Sequence, residues 1–559
     1  MLRLILGRAG TGKTALLFSE IAARCASKQS GSFLIVPEQY SHEAERELAR
    51  RCGDTASLYA EVLSFSRLAH RVAIGCGGSA RVYIDKPGRF LQLSLALEQM
   101  GGALSVYGGS ARSPERIAQL LSALDELRFG CAAPDTLRKA AGSATAALSD
   151  KLRDLALLQE ALDALSAQSG ADPAGRLDVL AAQLPGCTWL RGAKFYIDGF
   201  TDFTAQERRV VRALLPLADV TVCLTCDDPV SGSEVFSLAR RTARALRDAA
   251  AEDGVDTKIL SVPHAETRAP LAFLEENLFG WTEEARDAAG SIRLVRASGI
   301  AAECELAAAE MRRLVRETPC RWRDIAVAVR GFADYRAPLE EACRRAGVPL
   351  YASERTDLFT RPLPALIAAA FDILADGWSY ESVFTYLKTG LTGISCADCD
   401  ALENYVLLWS LRGTAWTRPE PWRQHPDGFG VKPSPESDAL LAKLDSLRRR
   451  VAEPLAAFAR RGAEATDARG QCAALAALWE DIALPEHLEE RSLALEEAGE
   501  LQTAAEYRQL WEVIVSALEQ CEAVLGDMPL SQEDFGRLFR RMLSQYDVGT
   551  IPVALDRVT

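Results

Sequence analysis

The apolar run Leu2–Leu6 leads directly into Gly7-Arg8-Ala9-Gly10-Thr11-Gly12-Lys13-Thr14, and an apolar-periodic helix follows from about Ala15 to Cys25. No other feature of the 559 residues narrows the fold as far. Gly-x4-Gly-Lys-Thr between a strand and a helix is the spacing of a phosphate loop. Its glycines let backbone N–H groups turn toward phosphate oxygens, and the helix N-terminus adds its dipole. Lys13 is placed to neutralise the β- and γ-phosphates of ATP, and the Thr14 hydroxyl to hold Mg²⁺. The expected fold is therefore α/β, with the parallel sheets of a P-loop NTPase (RecA-like).

The alternation continues downstream. Strands are expected at Phe33–Val36 and around Leu58–Leu63, with the polar corner Pro37-Glu38-Gln39, a helix from Ser41 to about Arg51, and a helix starting near Phe65. From about Lys86 to Leu184 apolar residues recur every three or four positions, which reads as all-helical. Strands return at Lys194–Ile197 and Val220–Leu224 around a helix at Ala205–Leu215. Such alternation builds a parallel sheet covered on both faces, here interrupted by a helical insertion. A second α/β segment is expected from strands at Ser291–Val295 and Ile325–Val329 and helices at Ala301–Val315 and Tyr335–Ala346. Residues 376–545 read as mostly helical, and Thr417–Ser434, with its Pro and Gly, as a mobile loop. The expected division is a core domain of residues 1–85 plus 185–285 with insertion 86–184, then a second core domain of 286–376 plus 546–559 with insertion 377–545. The closing run Asp547–Thr559 looks like the approach to another strand, so the chain is expected to be the N-terminal part of something longer.

The formal charge of −13, from 77 acidic and 64 basic residues, argues at first against a polyanionic partner. It is unevenly spread: residues 480–527 hold 13 acidic and 2 basic side chains, residues 1–90 hold 13 basic and 8 acidic. The total thus does not decide what the N-terminal part binds. No apolar run is long enough to span a membrane, and the start is not a signal peptide. A cytoplasmic setting with reduced thiols is expected for the 14 scattered cysteines. Cys223-x2-Cys226 falls on a strand, where positions three apart face opposite ways. Cys396-x2-Cys399 has no second pair at zinc-finger spacing. His42, His70, His264, His425 and His487 are dispersed, so no metal besides Mg²⁺ is expected.

Hydrolysis needs more than a phosphate loop. Asp198, at the end of the Lys194–Ile197 strand, is the candidate carboxylate for Mg²⁺ with Thr14. The next residue is Gly199, where a motor ATPase carries Glu. The expectation is a site that binds ATP and hydrolyses it poorly, with no catalytic residue to assign.

Val36-Pro37-Glu38-Gln39-Tyr40-Ser41 and Val62-Leu63-Ser64-Phe65-Ser66-Arg67-Leu68-Ala69-His70-Arg71 resemble motifs Ia and Ib of superfamily 1 helicases, which line a groove for single-stranded DNA. Ile325–Arg330, Leu339-Glu340 and Ala346–Pro349 are similar to that superfamily's second motor-like domain. Together with GRAGTGKT, Asp198-Gly-Phe-Thr-Asp-Phe-Thr204, Leu387–Leu391, Leu402–Tyr405 and Arg412–Trp416, this set in this order resembles the AddB subunit of the bacterial AddAB helicase–nucleases over essentially the whole chain. The resemblance implies a helicase-like subunit of an ATP-dependent helicase/exodeoxyribonuclease that repairs DNA double-strand breaks by recombination. It implies ATP and Mg²⁺ as cofactors, an AddA-type helicase–nuclease subunit as heterodimer partner, and single-stranded and duplex DNA as ligands. It also implies recognition of the Chi sequence without motor activity. Gln39, Ser41, Phe65, Arg67 and His70 match the family's DNA-reading positions, with Phe200 or Phe203 as a further aromatic; His70 stands where the family has an aromatic. Phe65 could stack on a base, and Arg67 and Gln39 could bond phosphate or a base edge. The full-length family carries a nuclease domain with an iron–sulfur cluster, neither of which is assignable to residues here. Two alternatives stay open: an active superfamily 1 helicase, and a P-loop ATPase scaffold with no nucleic-acid role.

Overall fold

The structure is a computed structural model describing residues 1–53, 55–76, 83–109, 113–230, 232–263, 269–279, 283–288, 290–351, 358–546 and 556–558. It forms two compact units, residues 1–84 with 96–294 and residues 85–95 with 295–559.

The first unit is organised by a six-stranded sheet of β1 (Leu2–Gly7), β2 (Ser32–Ile35), β3 (Ala60–Leu63), β4 (Lys194–Ile197), β5 (Asp219–Thr225) and β6 (Thr257–Ser261), in the order β3-β2-β4-β5-β1-β6. The strand pairings in it are all parallel. The period of two decides which side chain enters which core. Leu2, Leu4, Leu6, Phe33, Ile35, Phe195, Ile197, Val220, Val222 and Leu224 point into one apolar cluster. Ile5, Leu34, Val36, Val62, Tyr196 and Cys223 point into another. Helices α1 (Lys13–Ala26) and α2 (Ser41–Cys52) cover the second face through Leu17, Phe18, Ile21 and Leu48. Helix α3 (Phe65–Gly75) and the helices Arg176–Gln183, Ala205–Leu214 and Ser237–Glu252 cover the first. Cys223 and Cys226 fall in different clusters, so this Cys-x2-Cys pair straddles the sheet. The edge strand β6 has no counterpart in the sequence reading; Thr257–Ser261 is short and mostly exposed, with Ile259 and Leu260 as its apolar residues. The described positions of residues 86–184 hold helices joined by turns and loops, as at 101–109 and 130–133. His264 lies outside the described residues.

In the second unit, helices Ile300–Glu317 and Phe332–Ala346 pack through Cys304, Ala308, Met311, Leu339, Ala342 and Cys343. The strands expected at Ser291–Val295 and Ile325–Val329 have no ladder among the described residues. The pattern behind the expectation is real. Ile325 and Val327 are half-buried against the helix pair while Ala326 and Ala328 are exposed. Alternation sets a face, but a strand also needs a hydrogen-bonded neighbour. The described chain supplies one nearby only at Leu350, which pairs in parallel with Val558. Of the strand-like run Asp547–Thr559, residues 547–555 and 559 lie outside the described residues, and Val558 is fully buried.

The segment Thr417–Ser434 is loop from Arg418 on, and side chains tie down its first half. Arg448, 2% exposed, donates to the carbonyls of Trp416, Arg418 and Glu420 and to Asp445 Oδ1. The buried Trp422 donates its indole N–H to Ala415 O, and Tyr405 bonds Gln424 O. The buried guanidinium, with four partners, ties the backbone of this stretch to the helix Pro435–Glu464, while Thr417, Pro419, Glu420, Pro421 and Arg423 stay exposed. The tip carries Phe429 at 96% exposure between Gly428 and Gly430. The family-like segments Leu387–Leu391 and Leu402–Tyr405 meet through Lys388 Nζ and Glu403 Oε1 at 2.7 Å, a structural link.

Candidate nucleotide and nucleic-acid site

The loop after β1 turns because its glycines allow it. Gly10 and Gly12 have φ of 77° and 88°, and a Cβ on Gly7 would lie 2.6 Å from Thr11 Oγ1 and 2.8 Å from the Val262 carbonyl. Helix α1 begins at Lys13 with Gly12 as N-cap and no side-chain cap, so its first N–H groups are left for an anion. Lys13, 8% exposed, reaches back along the loop and donates to Gly7 O at 2.6 Å and Arg8 O at 2.8 Å. Burial holds its ammonium below the usual lysine range, partly offset by Asp198 and Glu275. A tethered cation facing an uncapped helix start is the arrangement that polyphosphate recognition needs.

Asp198 ends β4, and its N–H donates to Ile35 O at 3.0 Å. Its carboxylate Oδ2 accepts from Thr14 Oγ1 at 2.6 Å. A hydroxyl and a carboxylate oxygen side by side, both solvent-facing, suit a hard cation such as Mg²⁺. Gly199 follows with φ of 82°, and a Cβ there would sit 3.2 Å from Pro37 Cδ. The absence of Glu at this position thus has a local cause: the backbone takes a left-handed turn against the Pro37 corner.

The loops expected to meet nucleic acid leave the same edge of the sheet. β2 lies between β3 and β4, with Ile35 in register with Leu63 and Ile197. Val36 N–H donates to Leu63 O at 3.0 Å, so the three loop starts are tied together. This is the carboxyl edge of an open parallel sheet, where such folds bind ligands. Gln39, Tyr40 and His70 are exposed, and Ser41 is half-buried with its hydroxyl donating to Glu38 O at 2.7 Å. Arg67 is exposed and paired with Glu45 at 2.6 Å. Its backbone N–H donates to Ser64 Oγ, the α3 N-cap. The aromatics divide. Phe65 (5% exposed) and Phe203 (2%) belong to the core. Phe200, half-buried, packs edge-on against Phe65 with centroids 5.5 Å apart and lies 5.2 Å from Phe203. Phe200 is the partly exposed ring of the three, and Phe65 and Phe203 are the buried rings it packs against.

One group around the loop escaped the sequence reading. Arg8 lies 3.8 Å from Asp227 and 3.7 Å from Glu275, with its guanidinium 5.4 Å from the Phe236 ring centroid. Asp227 also accepts from Ser233 N–H and Arg240. The available signal was Cys226-Asp227-Asp228-Pro229, a polar turn directly after the strand that neighbours β1.

A parallel sheet whose first strand runs into a Gly-x4-Gly-Lys-Thr loop, with the Asp after β4 on the loop's Thr, has the fold of a P-loop NTPase of helicase-like type. A protein-family model described as "ADDB, N-terminal" matches residues 4–275. Curated relatives, each named as the B subunit of an ATP-dependent helicase/deoxyribonuclease, align over 100% of the chain. They include those of Desulforudis audaxviator at 37% identity, Moorella thermoacetica at 34% and Geobacillus thermodenitrificans at 32%. The chain belongs to the AddB family. It spans about half the length of the curated relatives it matches, 50% in each of these three. Among the described residues no helix is long and apolar enough to cross a membrane.

Proposed function

We propose that this chain is the helicase-like region of an AddB-type subunit of an ATP-dependent helicase/deoxyribonuclease. It binds ATP with Mg²⁺ and single-stranded DNA, and it works beside an AddA-type motor in processing double-strand breaks, where it reads Chi. Gly7–Thr14 hold the phosphates, Thr14 and Asp198 the Mg²⁺, and Gln39, Ser41, Arg67, His70 and Phe200 face the strand, with Phe65 and Phe203 as the apolar backing. The observation that carries the reading is the dipeptide Asp198-Gly199. Asp198 bonds Thr14 at the nucleotide loop, and Gly199 abuts Pro37 at the start of the nucleic-acid loops. Nucleotide and DNA sites at one sheet edge share these two residues, and Gly199 in place of a water-activating Glu fits binding without motor turnover. Arg67 can exchange Glu45 for a phosphate cheaply, since an exposed ion pair is worth only about 0–1 kcal/mol.

The test is co-purification with the cognate AddA-type subunit, followed by titration with labelled ATP analogues and single-stranded oligonucleotides at two salt concentrations. Lys13→Ala is expected to weaken nucleotide binding at least tenfold and to leave DNA affinity within a few-fold. Arg67→Ala should weaken DNA binding and flatten its salt dependence. Absence of oligonucleotide binding at low salt, by the chain and by the heterodimer, would refute the DNA reading.

A further inference from the structure

We propose that Cys76 and Cys187 form a peroxide-responsive dithiol that closes reversibly to a disulfide and pins the C-terminal end of α3 to the segment leading into β4. This site is independent of the nucleotide and DNA reading.

The geometry starts from α3. Its last turn runs into Gly75, where a Cβ would meet Trp189 Nε1 at 2.7 Å, so only glycine lets the helix end come this close. Trp189 is itself held. Its ring packs edge-on against Phe33 at 6.1 Å, and Arg71 of α3 lies 5.0 Å from its centroid. The helix end is therefore seated on the Thr188–Leu190 turn, and the next residue, Cys76, is delivered to Cys187, the residue before that turn. Their sulfurs are 2.7 Å apart, within about 0.7 Å of a covalent S–S bond. Both backbones are anchored: Cys76 N–H bonds Val72 O at 2.9 Å, and Cys187 N–H bonds Leu184 O at 2.9 Å. Closing the bond thus asks for a sulfur displacement, with no strand or helix moved.

The two thiols differ in their access to solvent. Cys76 is exposed and Cys187 is 1% exposed. Burial, followed by the hydrogen bond with Cys76, pushes the Cys187 thiol up to about 12. Cys187 therefore stays protonated near neutral pH, and Cys76 is the sulfur that meets an oxidant. The chemistry balances in two steps. The Cys76 thiolate attacks a hydroperoxide oxygen, the O–O bond breaks, and sulfenic acid and hydroxide form. Cys187 sulfur then attacks the sulfenic sulfur; the S–O bond breaks, and the Cys187 proton leaves with the hydroxyl as water. A dithiol reductant returns the two electrons. The bond would close a loop between residues 111 apart in sequence, which strongly restricts the unfolded chain.

The test uses the full chain and hydrogen peroxide. Peptide mapping without reductant should give a Cys76–Cys187 cross-link, with the chain lighter by two hydrogen atoms and its unfolding temperature raised until dithiothreitol is added. Cys187→Ser should trap sulfenic acid on Cys76, read with a dimedone-type label, and Cys76→Ser should abolish both signals. Mapping of the wild-type chain keeps the test decisive if a variant fails to fold. Cys25 with Cys52 and Cys472 with Cys521 are also hydrogen-bonded thiol pairs. Three results would overturn the proposal: a cross-link of either of those pairs forming first, over-oxidation of Cys76 to sulfinic acid with no cross-link, or no reaction at peroxide levels that oxidise an unfolded control.

Discussion

Gly199→Glu installs the side chain that a motor ATPase carries after its strand-end Asp, and the expected outcome is a less stable chain with no gain in ATP turnover. Gly199 has φ of 82°, and a new Cβ would lie 3.2 Å from Pro37 Cδ. A non-glycine residue in that region costs about 1–3 kcal/mol. A carboxylate next to Asp198 adds like-charge repulsion. Taking about 2 kcal/mol and about 2–4 °C per kcal/mol for a unit of this size, the unfolding temperature should fall by about 4–8 °C. Calorimetry gives that shift, and DNA-stimulated phosphate release gives turnover. Gly199→Ala isolates the backbone part and should carry most of the loss, because the strain belongs to φ and Cβ. An alanine variant as stable as the parent, or a glutamate variant that hydrolyses ATP briskly at unchanged stability, would show that the turn is not what excludes Glu.

Phe65→Ala empties a core site and should cost about 3–5 kcal/mol in denaturant unfolding, whereas Phe200→Ala should weaken single-stranded DNA binding with less than half that loss of stability; equal effects on both readouts would merge the two roles. Arg448→Met removes the guanidinium donors from the carbonyls of Trp416, Arg418 and Glu420 and leaves Asp445 with only the Trp422 amide and Arg449, and should destabilise the second unit by about 3–5 kcal/mol by the same assay. Asp445 feels burial, but the Trp422 amide and the Arg448 and Arg449 guanidiniums outweigh it and hold the carboxyl below its ordinary 3.8. Its stabilisation is therefore complete above that value and is lost as pH falls below it. Urea titrations from pH 5 downward should show this in the parent and less of it in Arg448→Met. Glu47, bonded by Arg50 and Arg51, is held at about 2 against an ordinary 4.5. Its contribution, kept under about 1 kcal/mol by solvent screening, should fade between those pH values, and Glu47→Gln should remove that part of the acid response.

The phosphate loop, the strands β1–β5 and the helices on either side of them were legible in the sequence, because each rests on local rules: period two for buried strands, period three to four for helices, glycine where φ is positive. Asp198 was legible for the same reason, as the polar residue ending an apolar strand. The sheet order was not. Hydrogen bonds between β2 and both β3 and β4 join residues far apart in the chain, and they alone bring the Pro37, Ser64 and Asp198 loops to one edge. Sequence pattern could not tell Phe65 from Phe200, since aromatic residues beside a helix start read alike until packing decides which ring faces solvent. Nor could it see that Arg448, an ordinary basic residue in a helical run, would be buried against three backbone carbonyls. The sequence by itself determined an α/β chain with a phosphate-loop motif, of the AddB pattern. Tertiary structure decided which neighbours its loops have, which aromatic is free, and which two cysteines meet, because contact between distant residues is a property of how the layers pack and not of spacing along the chain.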